Sequence, residues 1–191
     1  MRVYLENAGL FTTDEINYFL SFGSNSILAK GEYFIVKGQT AKKIAFVKSG
    51  LLRSFYYSSN SDEVTYCFSF PCDLIAGYSS LITQNQTSEN IQALSDCELI
   101  EYPKTLLDEL INANRNWLFF AKQMAESQYI KLEKRIFLLQ KENALTRYNE
   151  LLENQPDYLK KIPLGHLASY LGISQRHLSR LRKQITFRQM S

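Results

Sequence analysis

The stretch Ile162-Pro163-Leu164-Gly165-His166-Leu167-Ala168-Ser169-Tyr170-Leu171-Gly172-Ile173-Ser174-Gln175-Arg176-His177-Leu178-Ser179-Arg180-Leu181-Arg182-Lys183 decides how the rest of the chain is read. Two short helices crossing at a steep angle need a small residue at the crossing, a residue that accepts a tight turn between them, and apolar positions that hold the angle. Ala168 supplies the first and Gly172 the second. Leu167, Leu171, Ile173, Leu178 and Leu181 supply the apolar contacts, and Ser174 is placed to cap the second helix by accepting from a free backbone N–H. The spacing predicts a helix-turn-helix. Successive residues of a helix are about 100° apart, so Leu178, Leu181 and Ile185 share one side and Arg176, Arg180 and Lys183 the opposite one. With Gln175 and Ser179 beside it, that second face suits a reader of the DNA major groove. Arg bonds two acceptors on a guanine edge and Gln matches adenine. Lys183 and Arg182 fall where phosphate contacts would lie. The plainer reading is an αα-hairpin with a solvated basic face.

Charge supports the first reading. Residues 1–113 hold 8 Lys/Arg against 13 Asp/Glu, a balance of −5, whereas residues 114–191 hold 14 against 6, a balance of +8. No acidic residue follows Asp157, while Lys160, Lys161, Arg176, Arg180, Arg182, Lys183 and Arg188 all do. A tail of this kind attracts a polyanion at long range, double-stranded DNA first among them.

Upstream, Asn114 introduces a stretch without Gly or Pro that predicts one helix to about Lys141, roughly 40 Å long at the usual rise. Trp117, Leu118, Ala121, Ala125, Leu132, Ile136 and Leu139 form its apolar stripe. The stripe either packs on a copy of itself or covers the preceding domain, and the small Ala121 and Ala125 favour the copy. A shorter helix is expected from Pro103, with Leu106, Leu107, Leu110 and Ile111 on one face. Before it the texture is that of strands: Tyr33–Val36, Ile44–Val47, Leu51–Tyr57, Val64–Phe68, Asn90–Leu94 and Leu99–Tyr102, punctuated by Gly31, Gly38 and Gly50. Ser58–Asp62 reads as an exposed hairpin tip, and Thr12 with Glu15 as a capping box opening a short first helix. The fold expected is therefore α+β: a β-roll of the double-stranded jelly-roll kind over residues 1–113, a dimerisation helix over 114–141, and a helix-turn-helix domain over 142–191.

In that order of parts the chain resembles the Crp/Fnr family, the cyclic-AMP receptor protein and its relatives. The string Ala168–Ser174 followed by Leu178–Lys183 is similar to the versions in Bacteroidetes-type members. The resemblance implies a cyclic-nucleotide-binding-like sensory domain and a homodimer that reads a twofold-symmetric operator. It also implies RNA polymerase as a further partner and Gln175, Arg176 and Arg180 as base-reading side chains. Departures are equally plain. The family's Gly-Glu-Leu element falls on Ala76-Gly77-Tyr78 and its Arg-Ser pair on Thr87-Ser88, so both the ribose-binding carboxylate and the phosphate-binding guanidinium are missing. Gly77, Tyr78, Thr87 and Ser88 mark the candidate effector pocket, and losing the charge-assisted donor argues against a cyclic nucleotide as its small-molecule ligand. The family's β-hairpin wing is reduced to a stub before Ser191.

Other chemistries find little footing. The only histidines, His166 and His177, lie in the helix-turn-helix, which leaves the β-domain no imidazole for a cupin-like metal site or for general base work. Cys67, Cys72 and Cys97 match neither a disulfide framework nor an iron–sulfur ligand set and are expected to be reduced and mostly buried. Tyr66, Phe68 and Tyr78 either line an effector pocket or pack the core. No long apolar run or leader pattern is visible, so the expectation is a cytoplasmic, non-enzymatic regulator with no cofactor, no metal and no membrane partner. The alternative is a small-molecule-binding or interaction module without specific DNA recognition.

Overall fold

The computed structural model describes residues 1–189, with side chains to residue 185. Two compact units emerge: residues 1–56 with 67–126, and residues 57–66 with 127–191.

The first unit opens with helices α1 (Arg2–Ala8) and α2 (Thr13–Ser21). The capping box at α2 forms as expected: Thr12 Oγ1 accepts from the Glu15 N–H at 3.2 Å, and the Glu15 carboxylate accepts from the Thr12 N–H at 2.8 Å. Eight strands follow: β1 (Ser24–Leu28), β2 (Tyr33–Ile35), β3 (Lys43–Ser49), β4 (Leu52–Tyr57), β5 (Glu63–Ser69), β6 (Leu74–Ile75), β7 (Glu89–Ala93) and β8 (Cys97–Pro103). A short helix, α3 (Tyr78–Thr83), interrupts them between β6 and β7. They form two four-stranded sheets in the orders β1-β8-β3-β6 and β2-β7-β4-β5, and β1–β8, β3–β8 and β4–β7 all pair antiparallel. Ala45, Val47, Leu52, Ile91, Ala93 and Leu99 meet in the buried core between them. Burial of such a core is the dominant favourable term in folding. Glu101 ties three strands together. Its carboxylate accepts from Ser26 on β1 at 2.8 Å and pairs with Lys43 on β3 at 2.6 Å.

Helix α4 (Lys104–Ala113) and the start of α5 (Arg115–Lys141) close a second apolar cluster against α1 and α2. Phe19 stacks on Tyr102 with ring centres 4.2 Å apart, and Trp117 lies 4.1 Å from Phe11. Asn114, at the break between α4 and α5, donates to the Glu15 carboxylate. The Tyr102 hydroxyl is buried without a hydrogen-bond partner, and burial pushes its pKa up to about 12.

The second unit contains the β4–β5 tip, the remainder of α5, and helices α6 (Ala144–Asn154), α7 (Pro156–Lys161), α8 (Leu164–Tyr170) and α9 (Gln175–Gln189). The tip is the exposed hairpin expected at Ser58–Asp62, closed by a 2.9 Å bond from the Ser58 N–H to the Asp62 carbonyl. Asn143 caps α6 by accepting from the Thr146 N–H at 3.0 Å. The Arg147 guanidinium caps the end of α5, donating to the Glu142 carbonyl at 2.7 Å.

One expectation is corrected here. None of the three cysteines is in a disulfide, and only Cys97 is buried; Cys67 is half-buried and Cys72 is exposed. Cys72 sits on the turn between β5 and β6 at φ +77°, where the chain reverses at the surface and the core cannot reach it.

Gly50 joins β3 to β4 at φ +99°, and a Cβ there would stand 2.5 Å from both the Asp96 carbonyl oxygen and the Cys97 sulfur. Gly50→Ala is therefore expected to cost at least about 2 kcal/mol, through backbone strain added to a backbone clash. Urea unfolding of the two proteins measures it, and an unchanged midpoint would contradict the account.

Candidate nucleic-acid interface and effector region

The turn between α8 and α9 follows from the local sequence. Gly172 takes a left-handed conformation at φ +66°. Its N–H donates to the Ser169 carbonyl and the Ile173 N–H reaches the Ala168 carbonyl, both at 3.1 Å, which is the Schellman closure of a helix end. Ser174 then opens α9, its Oγ accepting from the His177 N–H at 3.2 Å. Leu167, Ala168, Leu171, Leu178 and Leu181 are buried where α8 and α9 pack together, and Tyr148 and Leu151 of α6 are buried as well.

With those leucines inside, the opposite side of α9 faces solvent. Gln175, Arg176, Arg180 and Lys183 are exposed, and Ser179 is half-buried beside them. Three cations thus stand on one helical face, four and three residues apart, clear of the packing that fixes the helix. His177 is exposed at the start of α9.

The four candidate effector residues are distributed differently. Gly77 and Thr87 are buried, whereas Tyr78 and Ser88 are exposed. A Cβ on Gly77 would approach Ile35 Cδ1 to 3.1 Å, a tight contact that requires Ile35 to give, and would stand 3.7 Å from the Glu89 carboxylate. Thr87 is tied by its backbone: its N–H donates to Gln39 and its carbonyl accepts from Gly38, each at 2.8 Å. Ser80 Oγ accepts from the Ala41 N–H at 2.9 Å and donates to the Asn85 carbonyl at 2.5 Å. The segment between Gly77 and Thr87 is thereby stitched to residues 38–41. A cleft of about 140 Å³ lined by Phe34, Ile35, Gln39, Ala41 and Lys43 borders this region, and another of about 360 Å³ is lined by Tyr148, Leu152, Leu159, Lys160, Arg182 and others.

Sequence reasoning missed Glu89. It lies one residue before the strand expected at Asn90–Leu94, yet its carboxyl lies beside Gly77 and burial raises its pKa from 4.5 to about 7. Among the described residues no group of three or more His, Cys, Asp and Glu side chains is arranged to hold a metal. No described helix is long and apolar enough to cross a membrane.

Residues 26–114 match the model of the cyclic nucleotide-binding domain. The chain is similar to such a domain over this stretch. The chain is 24% identical over 81% of its length to electron transport regulator A of Shewanella oneidensis, and 25% identical over the same share to the anaerobic regulatory protein of Haemophilus influenzae. It spans 65% and 63% of those curated relatives, a little under two thirds of each. In fold it is similar to FixK2 of Bradyrhizobium japonicum, with a TM-score of 0.77 at 16% identity over 87% of this chain and 85% of that one. Its homologues and structural neighbours are thus Crp/Fnr-family regulators.

The Glu89 carboxyl gives the domain a pH signature. Its folded pKa lies above the unfolded value, so the stabilisation linked to its proton is complete below about pH 4.5 and is lost as pH rises through about 7. Glu89→Gln keeps the shape without the charge. The variant is expected to melt above the parent at pH 8 and level with it near pH 4.5; a gap independent of pH would show that the half-buried carboxyl is not the cause.

Proposed function

We propose that the chain is a non-enzymatic, sequence-specific DNA-binding transcription regulator of the Crp/Fnr type that acts as a homodimer. The observation that carries this reading is the division of α9: Leu178 and Leu181 are buried, while Arg176, Arg180 and Lys183 stand exposed on the other side with Gln175 at the helix start. The Schellman turn and the Ser174 cap fix that face rigidly, as a groove reader requires. In this reading residues 142–191 read DNA, residues 114–141 dimerise and residues 1–113 form the sensory domain, in a cytoplasmic protein that works with RNA polymerase.

Dimerisation is supported by α5. Beyond Trp117 the helix has no buried residue. Leu118, Tyr129, Leu132, Ile136 and Leu139 are exposed and, with Ala125, recur at the alternating three- and four-residue steps of a heptad stripe. A stripe with a 3.5-residue period is matched by a second copy of the same helix, wound about it with a left-handed twist. Two copies would place two basic faces for a twofold-symmetric operator.

As for the effector, Gly77 brings no carboxylate and Thr87 brings a short hydroxyl where the family's cyclic-nucleotide binders have a guanidinium. Both points support a ligand other than a cyclic nucleotide, or none.

Two measurements test the proposal. Selection from random duplexes, read by fluorescence anisotropy across salt concentrations, is expected to return a preferred sequence. Arg180→Ala should then cost about 1–3 kcal/mol at one base position, and Lys183→Ala should weaken all sequences alike while lowering the salt slope by about 1. Recovery of no preferred duplex would instead favour a small-molecule-binding or interaction module. Ile136→Glu, in the middle of the stripe, is expected to turn a dimer into a monomer in sedimentation; a dimer that survives it would move the interface elsewhere.

A further inference from the structure

β5 is the edge strand of its sheet, and the outward backbone groups of an edge strand need partners. In the second unit those of Glu63 and Thr65 are met by side chains from helices. The Ser169 hydroxyl, near the end of α8, accepts from the Thr65 N–H at 2.9 Å and donates to the Glu63 carbonyl at 2.9 Å. One hydroxyl thus occupies the place a neighbouring strand would take. The Arg135 guanidinium of α5 donates to the Thr65 carbonyl at 3.2 Å and to the Tyr170 carbonyl at 2.9 Å, and its carbon lies 3.9 Å from the centre of the Tyr170 ring. The Tyr170 carbonyl belongs to the last turn of α8, where helix carbonyls lack partners and a cation is favoured.

We propose that Arg135 and Ser169 are positioning residues that key the helix-turn-helix to the Glu63–Thr65 edge of β5 and thereby fix the aim of α9. The inference rests on the reading of α9 as the DNA-contacting helix. Three features carry it. Every bond of the clamp ends on the first helix of the motif or on the ribbon, none on the exposed face of α9, so the clamp and DNA contact are compatible. The bonds on β5 go to main-chain groups, which register any displacement of the strand whatever its side chains. Arg135 bridges two carbonyls and stacks on a ring at once, a combination of planar fork and flat face that Lys lacks. Held in this way, the head is already ordered before it meets DNA, which removes an ordering cost from binding.

The test uses the full chain and the duplex selected above. Ser169→Ala, Arg135→Ala, Arg135→Lys and the double alanine variant are compared by amide hydrogen exchange at Thr65 and by affinity for the selected and for an unrelated duplex. Loss of one such hydrogen bond is expected to speed Thr65 exchange and to weaken the selected duplex, each by roughly three- to tenfold, with the unrelated duplex changed less than about twofold. Arg135→Lys should fall between parent and alanine, and the double variant should lose less than the two single variants together. Thr65 exchange equal to the parent's in Ser169→Ala would overturn the contact. Faster exchange with selected-duplex affinity unchanged or raised would overturn the positioning role. A parent chain that prefers no duplex overturns the DNA reading and the positioning role with it, while Thr65 exchange decides the contact by itself.

Discussion

An α-helix turns once in 3.6 residues, so burying any two of its side chains dictates where the others point. On α9 the two are Leu178 and Leu181. Their burial, shared with Leu167 and Leu171, leaves Arg176, Arg180 and Lys183 no direction except outward. The functional reading of the chain rests on that constraint more than on the sum of its positive charge. A scattered basic surface would attract nucleic acid without reading it, whereas a rigid helix with its cations in register offers a geometry that base edges can select.

Elements whose stability is local were legible in the residues. The Thr12–Glu15 box, the left-handed Gly172 and the Ser174 cap each depend on side chains within a few positions of the groups they satisfy. Strands rich in Tyr, Phe, Val and Ile were legible for a related reason, since their faces are half or fully buried. The first strand was not. Ser24, Asn25 and Ser26 have little strand preference, and β1 exists because its backbone pairs with β8 from Ser24 opposite Glu101 to Leu28 opposite Cys97. The two-residue β6 and the six-residue α3 are likewise set by what they pack on.

The same distinction runs through the functional regions. The basic face could be drawn from periodicity alone. The clamp at β5 joins residues 35 to 106 positions apart, and nothing near Ser169 or Arg135 in the sequence announces a strand edge as partner. The effector region shows a third case. Comparing residue types found what was absent at positions 77 and 87, but only the packing shows Ile35 and Glu89 standing around Gly77. A fold alone does not say what enters its interior.

The position of Trp117 has a practical consequence. It is the chain's single tryptophan, almost wholly enclosed among Phe11, Phe19 and Phe120 in the first unit. Its ultraviolet emission therefore monitors the melting of that unit and is blind to the unit carrying α6 to α9. Circular dichroism, which sums over every helix, is sensitive to both. Superimposable curves from the two optical signals would mean that the units come apart together, and separated curves that each has a stability of its own.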